Sequence, residues 1–135
     1  MRDKPVEMIY SQNINRIGAQ ITSLLPLDYK CIILGVFLYQ ADDESYLDTH
    51  LYYVGQEIID VNEYVDEHIE YLSNYDDVVR KIELFHDICK KENNNWTNWT
   101  LKINDDGTFT SDYSFDELAP DYSFFEEWYQ NNVQQ

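Results

Sequence analysis

The residues able to do chemistry in this 135-residue chain are three histidines, two cysteines and an unusual number of carboxylates. His50, His68 and His86 are widely spaced and fall on different expected elements, unlike the clustered ligands of a metal centre. His68 sits on an apolar helical face and reads as a satisfied core residue. His86 and Cys89 share helical spacing, but nothing nearby offers an oxyanion site, so Cys89 reads as core rather than as a thiolate nucleophile. Cys31 and Cys89 lie in apolar patterns without a CxxC pair, which fits free, buried thiols in a reducing cytoplasm, with a disulfide between them the less favoured alternative. Asn104-Asp105-Asp106-Gly107 resembles part of a calcium loop, yet it lacks the alternating ligands and the distal glutamate, and reads as a turn. No GxSxG, P-loop, GxGxxG or HExxH motif is present. The expectation is a protein that is not an enzyme and uses neither metal nor cofactor.

Carboxylates in such excess point instead to a partner. Asp and Glu number 26 against 9 Lys and Arg, for a formal net charge of -17. A small soluble domain usually carries a net charge of magnitude about 2 to 8. The excess repels itself at some cost in stability, but it steers the chain toward basic surfaces and away from nucleic acid. Direct nucleic-acid binding is not expected, because phosphate contacts need Lys and Arg. Plain solubility or a high-salt habitat would also account for the charge. The chain is too aromatic for a disordered acidic tail, with 12 Tyr, 6 Phe and 3 Trp.

The densest mixture of acids and aromatics lies in the last third. Asp112, Asp116, Glu117, Asp121, Glu126 and Glu127 are candidate contacts for Lys and Arg of a partner, with Trp128 and Tyr129 as candidate anchors. The plainer alternative makes the aromatics core and the acids solvent-facing. Trp99, Phe109 and Tyr113 lean toward core.

The elements that position these residues follow from periodicity. Tyr10, Ile14, Ile17, Ile21, Leu24 and Leu25 fit an amphipathic helix stopped by Pro26. Residues 31–39 form a near-continuous apolar run, expected as a strand buried on both faces. A polar turn at 42–45 leads to a second strand over 46–54, so the pair reads as a hairpin. Val61, Tyr64, Val65, His68, Ile69 and Leu72 share one helical face. Val78, Val79, Ile82, Phe85, Ile88 and Cys89 share another, after Asn74 or Asp76 as cap. Strands at 96–103 and 108–115 then form a second hairpin. A two-residue turn at Asp106-Gly107 would set Ile103 opposite Thr110, whereas a three-residue loop at 105–107 sets Ile103 opposite Phe109 and Trp99 opposite Tyr113. Apolar matching favours the longer loop, with Gly107 left-handed. Residues 124–129 form a last helix whose first turn carries Asp121. The expected fold is α+β, one domain over 1–135: a four-stranded antiparallel sheet of two hairpins with helices packed on one face.

The charged opening at residues 1–4 runs into a polar segment rather than an apolar core, unlike a secretory leader. The longest apolar run is far shorter than the roughly 20 residues of a membrane-spanning helix. A cytoplasmic location without membrane association is the expectation. On that basis the Asn95-Trp96-Thr97 and Asn98-Trp99-Thr100 acceptor patterns are accidental.

Trp96-Thr97, the Gly107-x-Phe109 turn and Asp112-Tyr113-x-Phe115-Asp116 together resemble the YezG-like family of bacterial immunity proteins. Leu24-Leu25-Pro26-Leu27-Asp28-Tyr29-Lys30 is similar to the end of that family's opening helix. The order of elements agrees over most of the chain, while the specific residues cover about a third of it. The acidic loop at 42–45 and the lack of a longer basic and aromatic C-terminal tail depart from the family pattern, so no particular partner or contact set carries over. The resemblance implies an antitoxin that neutralises a nuclease toxin by stoichiometric, charge-complementary occlusion. Two other readings compete. One is an acidic adaptor or DNA mimic that blocks a basic DNA-binding protein; the other is a metal-dependent hydrolase built on clustered carboxylates.

Overall fold

A computed structural model describes residues 6–118 and 121–134. The chain divides into two compact units: residues up to Pro26 together with Val65–Asn95, and Leu27–Tyr64 together with the residues from Trp96 onward.

The first unit is helical. Helix α1 spans Val6–Thr22 and buries Ile14, Ile17 and Ile21, as the spacing predicts. It ends four residues ahead of Pro26, with Leu24 and Leu25 buried in the segment that follows. The stretch expected as one helix over 61–72 is instead broken. Helix α2 covers only Val61–Glu67, a 3-10 turn follows at Ile69–Tyr71, and helix α3 runs over Leu72–Lys91. The tighter turn shifts the helical phase, so Val61 and Val65 are buried while Ile69 is 75% exposed. Tyr71 holds the N-cap position of α3, ahead of both expected caps. Its inward row is Tyr75, Val78, Ile82, Phe85, His86 and Cys89. Tyr10 of α1 meets Phe85 edge-on, with ring centroids 5.7 Å apart. Between the same two helices, Lys81 donates to Gln20 at 2.6 Å, and within α3 it donates to Asp77 at 2.7 Å. The end of α3 fits the asparagine run. Asn93 takes φ 62, its N–H donates to the Lys90 carbonyl and that of Asn94 to the Cys89 carbonyl. Such a left-handed closure suits glycine or asparagine.

The second unit is built on an antiparallel sheet ordered β3, β2, β1, β4, β5. The strands are β1 Cys31–Ala41, β2 Glu44–Val54, β3 Ile58–Asp60, β4 Asn98–Asn104 and β5 Phe109–Ser114. The sheet therefore has five strands, not four. The extra strand β3 pairs only with Tyr52, Tyr53 and Val54 at one edge, too short a stretch to show a period. Strand β1 is central and buried on both faces, as expected, and every side chain from Ile32 to Phe37 that could face solvent is covered. The first turn is tighter than expected. Ala41 pairs with Glu44, so only Asp42 and Asp43 turn, and Asp42 accepts φ 56, where aspartate is tolerated better than most residues. The second hairpin has the three-residue loop: Ile103 pairs with Phe109, Trp99 with Tyr113, and Gly107 has φ 89.

Helix α4, Ser123–Asn132, lies over one face of this sheet. Its Trp128 enters a cluster with Ile33, Phe37, Tyr39, Tyr52 and Val133. Gly35 makes this possible, because any β-carbon there would collide with the indole. The indole Nε1 donates to Thr100 Oγ1 at 2.8 Å, which satisfies its one polar atom in the core.

Candidate partner-binding groove

Strand alternation sends Tyr46, Asp48, His50 and Tyr52 of β2 to the face that carries α4. On α4, Phe125 and Tyr129 sit one turn apart and lean toward this row. The His50 and Phe125 rings are 4.3 Å apart, and Tyr52 meets Tyr129 edge-on at 5.3 Å. The two sets of side chains bound a groove. Along it lies a cleft of about 440 Å³ lined by His50, Tyr52, Ile58, Asp60, Glu63, Phe125 and Tyr129. Asp60 closes β3 and accepts the Asn62 N–H at 2.9 Å, which starts α2 and brings Glu63 to the rim. Asp48 is held by His50 Nε2 at 2.9 Å.

The electrostatics are one-sided. No lysine or arginine lines the cleft, and Asp48, Asp60 and Glu63 have no Lys or Arg ion pair among the described residues. Burial pushes the Tyr52 hydroxyl well above its ordinary value, and the nearby carboxylates Asp60 and Asp48 push the same way. Tyr52 therefore stays a neutral phenol, and the negative potential belongs to the carboxylates. The other end of the groove is tyrosine-rich. Tyr39 lies beneath Tyr46 and Tyr122, with ring centroids 5.5 and 5.7 Å away. Its hydroxyl is buried without a hydrogen-bond partner among the described residues, and burial together with Asp48 raises its pKa strongly. Tyr122 precedes α4 at φ 64, a strained conformation for a residue with a β-carbon. Asp121 accepts from both the N–H (3.0 Å) and the hydroxyl (2.8 Å) of Ser123, bonds that hold its carboxyl below the usual range.

The residues singled out in the sequence separate into two kinds. Asp112, Asp116, Glu117, Asp121, Glu126 and Glu127 are all exposed. Asp112 stands opposite Thr100 on the edge strand β5, while Asp116 accepts from Ser114 at 3.4 Å just beyond it. Asp121 lies two residues ahead of α4 rather than in its first turn. Trp128 is not an exposed anchor: it is 5% exposed and forms part of the core. Tyr129 is half-buried and lines the cleft. Of the aromatics expected as core, Trp99 is fully buried, whereas Phe109 is 45% exposed.

Sequence reasoning missed Asp48, His50, Tyr52, Asp60, Glu63 and Phe125. The alternation of Tyr46, Asp48, His50 and Tyr52 was the available signal, since it sets polar and aromatic groups on a single sheet face. Among the described residues, no group of three or more His, Cys, Asp or Glu is placed to hold a metal ion, and no helix is long and apolar enough to cross a membrane. No protein-family model matches this sequence, and no curated protein matches it.

Proposed function

We propose that this chain is a cytoplasmic immunity protein, a non-catalytic antitoxin that neutralises a basic nuclease toxin by binding it one to one. The observation that carries the reading is a net charge of -17 combined with unneutralised carboxylates around an aromatic-lined groove. A nuclease must present a basic cleft to phosphates, and an acidic surface with aromatic anchors complements such a cleft. Charge of this size speeds encounter and makes binding sensitive to salt. The likeness of Trp96-Thr97, Gly107-x-Phe109 and Asp112-Tyr113-x-Phe115-Asp116 to the YezG-like family supports the choice of a nuclease toxin over other basic partners.

Affinity capture with the tagged protein from its native cells, at low and moderate salt, tests this reading. The expected result is one basic polypeptide recovered in near-equal amount, with nuclease activity that the protein abolishes. Recovery of a DNA-binding protein without nuclease activity would transfer the reading to an adaptor or DNA mimic. Recovery of nothing at either salt would remove the partner reading altogether.

A further inference from the structure

We propose that the cleft bounded by β2, β3, the start of α2 and α4 receives a single arginine side chain projecting from the basic partner. The proposal rests on the partner-binding reading above and names the chemistry recognised at one place within it. Three features converge there. The walls are aromatic: His50, Tyr52, Phe125 and Tyr129 line the cleft, with Phe125 packed 4.3 Å from His50 and Tyr129 meeting Tyr52 edge-on at 5.3 Å. The rim carries Asp60 and Glu63. Asp60 uses Oδ1 to cap α2, and the Glu63 carboxylate has no Lys or Arg ion pair among the described residues. The volume, about 440 Å³, is near the lower end of small-ligand clefts, which run from about 300 to 1,000 Å³. It suits one long side chain rather than a helix.

An aromatic slot bordered by unpaired carboxylates calls for a cation, and its shape selects among cations. A guanidinium is planar and weakly hydrated, so it stacks on aromatic faces while its fork of N–H donors reaches carboxylates at the edge. An ammonium is compact and strongly hydrated and gains less from the walls.

The test uses the full chain and three blocked pentapeptides, Gly-Gly-X-Gly-Gly with X as arginine, lysine or citrulline, titrated by NMR. The arginine peptide should shift the signals of His50, Tyr52, Phe125 and Tyr129 and bind about fivefold tighter than the lysine peptide, the scale of a modest cation–π term. The citrulline peptide, uncharged but similar in shape, should not bind measurably. The double variant Asp60→Asn and Glu63→Gln should lose the arginine response, while the charge-matched Glu83→Gln with Asp105→Asn, both exposed and away from the cleft, should keep it. Equal affinity for arginine and lysine, or shifts scattered away from the cleft, would overturn the proposal. Nona-arginine separates the two levels. If it binds in a salt-sensitive manner but ignores Asp60 and Glu63, the arginine slot is wrong and the basic-partner reading stands. If it does not bind at all, both fall.

Discussion

Replacing Gly35 by alanine should unseat α4 from the sheet. The new β-carbon would lie 2.6 Å from Trp128 Cη2 and 2.9 Å from Cε2, and closer still to Cζ2. Carbon atoms pack comfortably at about 3.5 to 4.0 Å, so the indole must retreat by about 1 Å. Overpacking of this kind costs about 1 to 3 kcal/mol. Retreat also stretches the Nε1 bond to Thr100 Oγ1, now 2.8 Å, for about 1 kcal/mol more. Alanine recovers about 0.5 to 1 kcal/mol as the better strand residue. The net loss is about 2 kcal/mol, read as a urea midpoint lower by about 1 M for a slope of about 2 kcal/mol per molar. Trp128→Ala alone should cost about 3 to 5 kcal/mol, but in that background Gly35→Ala should cost nothing. A Gly35→Ala protein as stable as the parent, or one whose loss is the same without Trp128, would refute this account of how α4 is seated. Because α4 carries Phe125 and Tyr129, the same substitution should also weaken partner binding.

Three further outcomes follow from local chemistry. Gly107→Ala places a β-carbon at φ 89, and chemical denaturation should show a loss of about 1 to 2 kcal/mol although no atom is in the way. Tyr39→Phe removes a buried, unsatisfied hydroxyl, so the melting temperature should rise or hold, with a gain of up to about 1 kcal/mol; a clear loss would mean that the hydroxyl has a partner. Burial holds the His86 pKa below its ordinary 6.5, with Lys90 adding to the effect and Asp87 opposing it. The folded chain thus binds fewer protons than the unfolded one, so this contribution is complete above 6.5 and fades as pH falls below it. Between pH 7 and 5 the parent should lose melting temperature faster than His86→Leu, whereas parallel profiles would contradict that assignment. The lowered carboxyls of Asp77, Asp106 and Asp121 act in the same direction only below about 3.8.

Patterns with local causes were legible in the sequence. The α1 stripe, the doubly buried run of β1 and the register of the second hairpin each follow from side-chain period or apolar matching, and Phe109 pairs with Ile103 as that matching requires. What failed depended on tertiary context. The face shared by residues 61–72 holds as far as Val65 and is then rotated away by a 3-10 turn that no residue announces. The three-residue β3 exists only because β2 offers it an edge. The site was half legible for the same reason. Charge density pointed to the C-terminal acids, and Tyr129 does line the cleft, but Trp128 looked like an anchor because composition cannot distinguish an aromatic over Gly35 from one in solvent. Asp60 and Glu63 come from two separate elements, and only the packing of β3 and the start of α2 beside β2 brings them to one rim.

The central claim is neutralisation by stoichiometric binding, and the most direct measurement is a titration of the captured partner's nuclease activity with this protein. The account predicts that activity falls linearly and reaches zero at one equivalent, with inhibition relieved as salt rises. A partner without nuclease activity, or cleavage that persists at saturating protein, would contradict it.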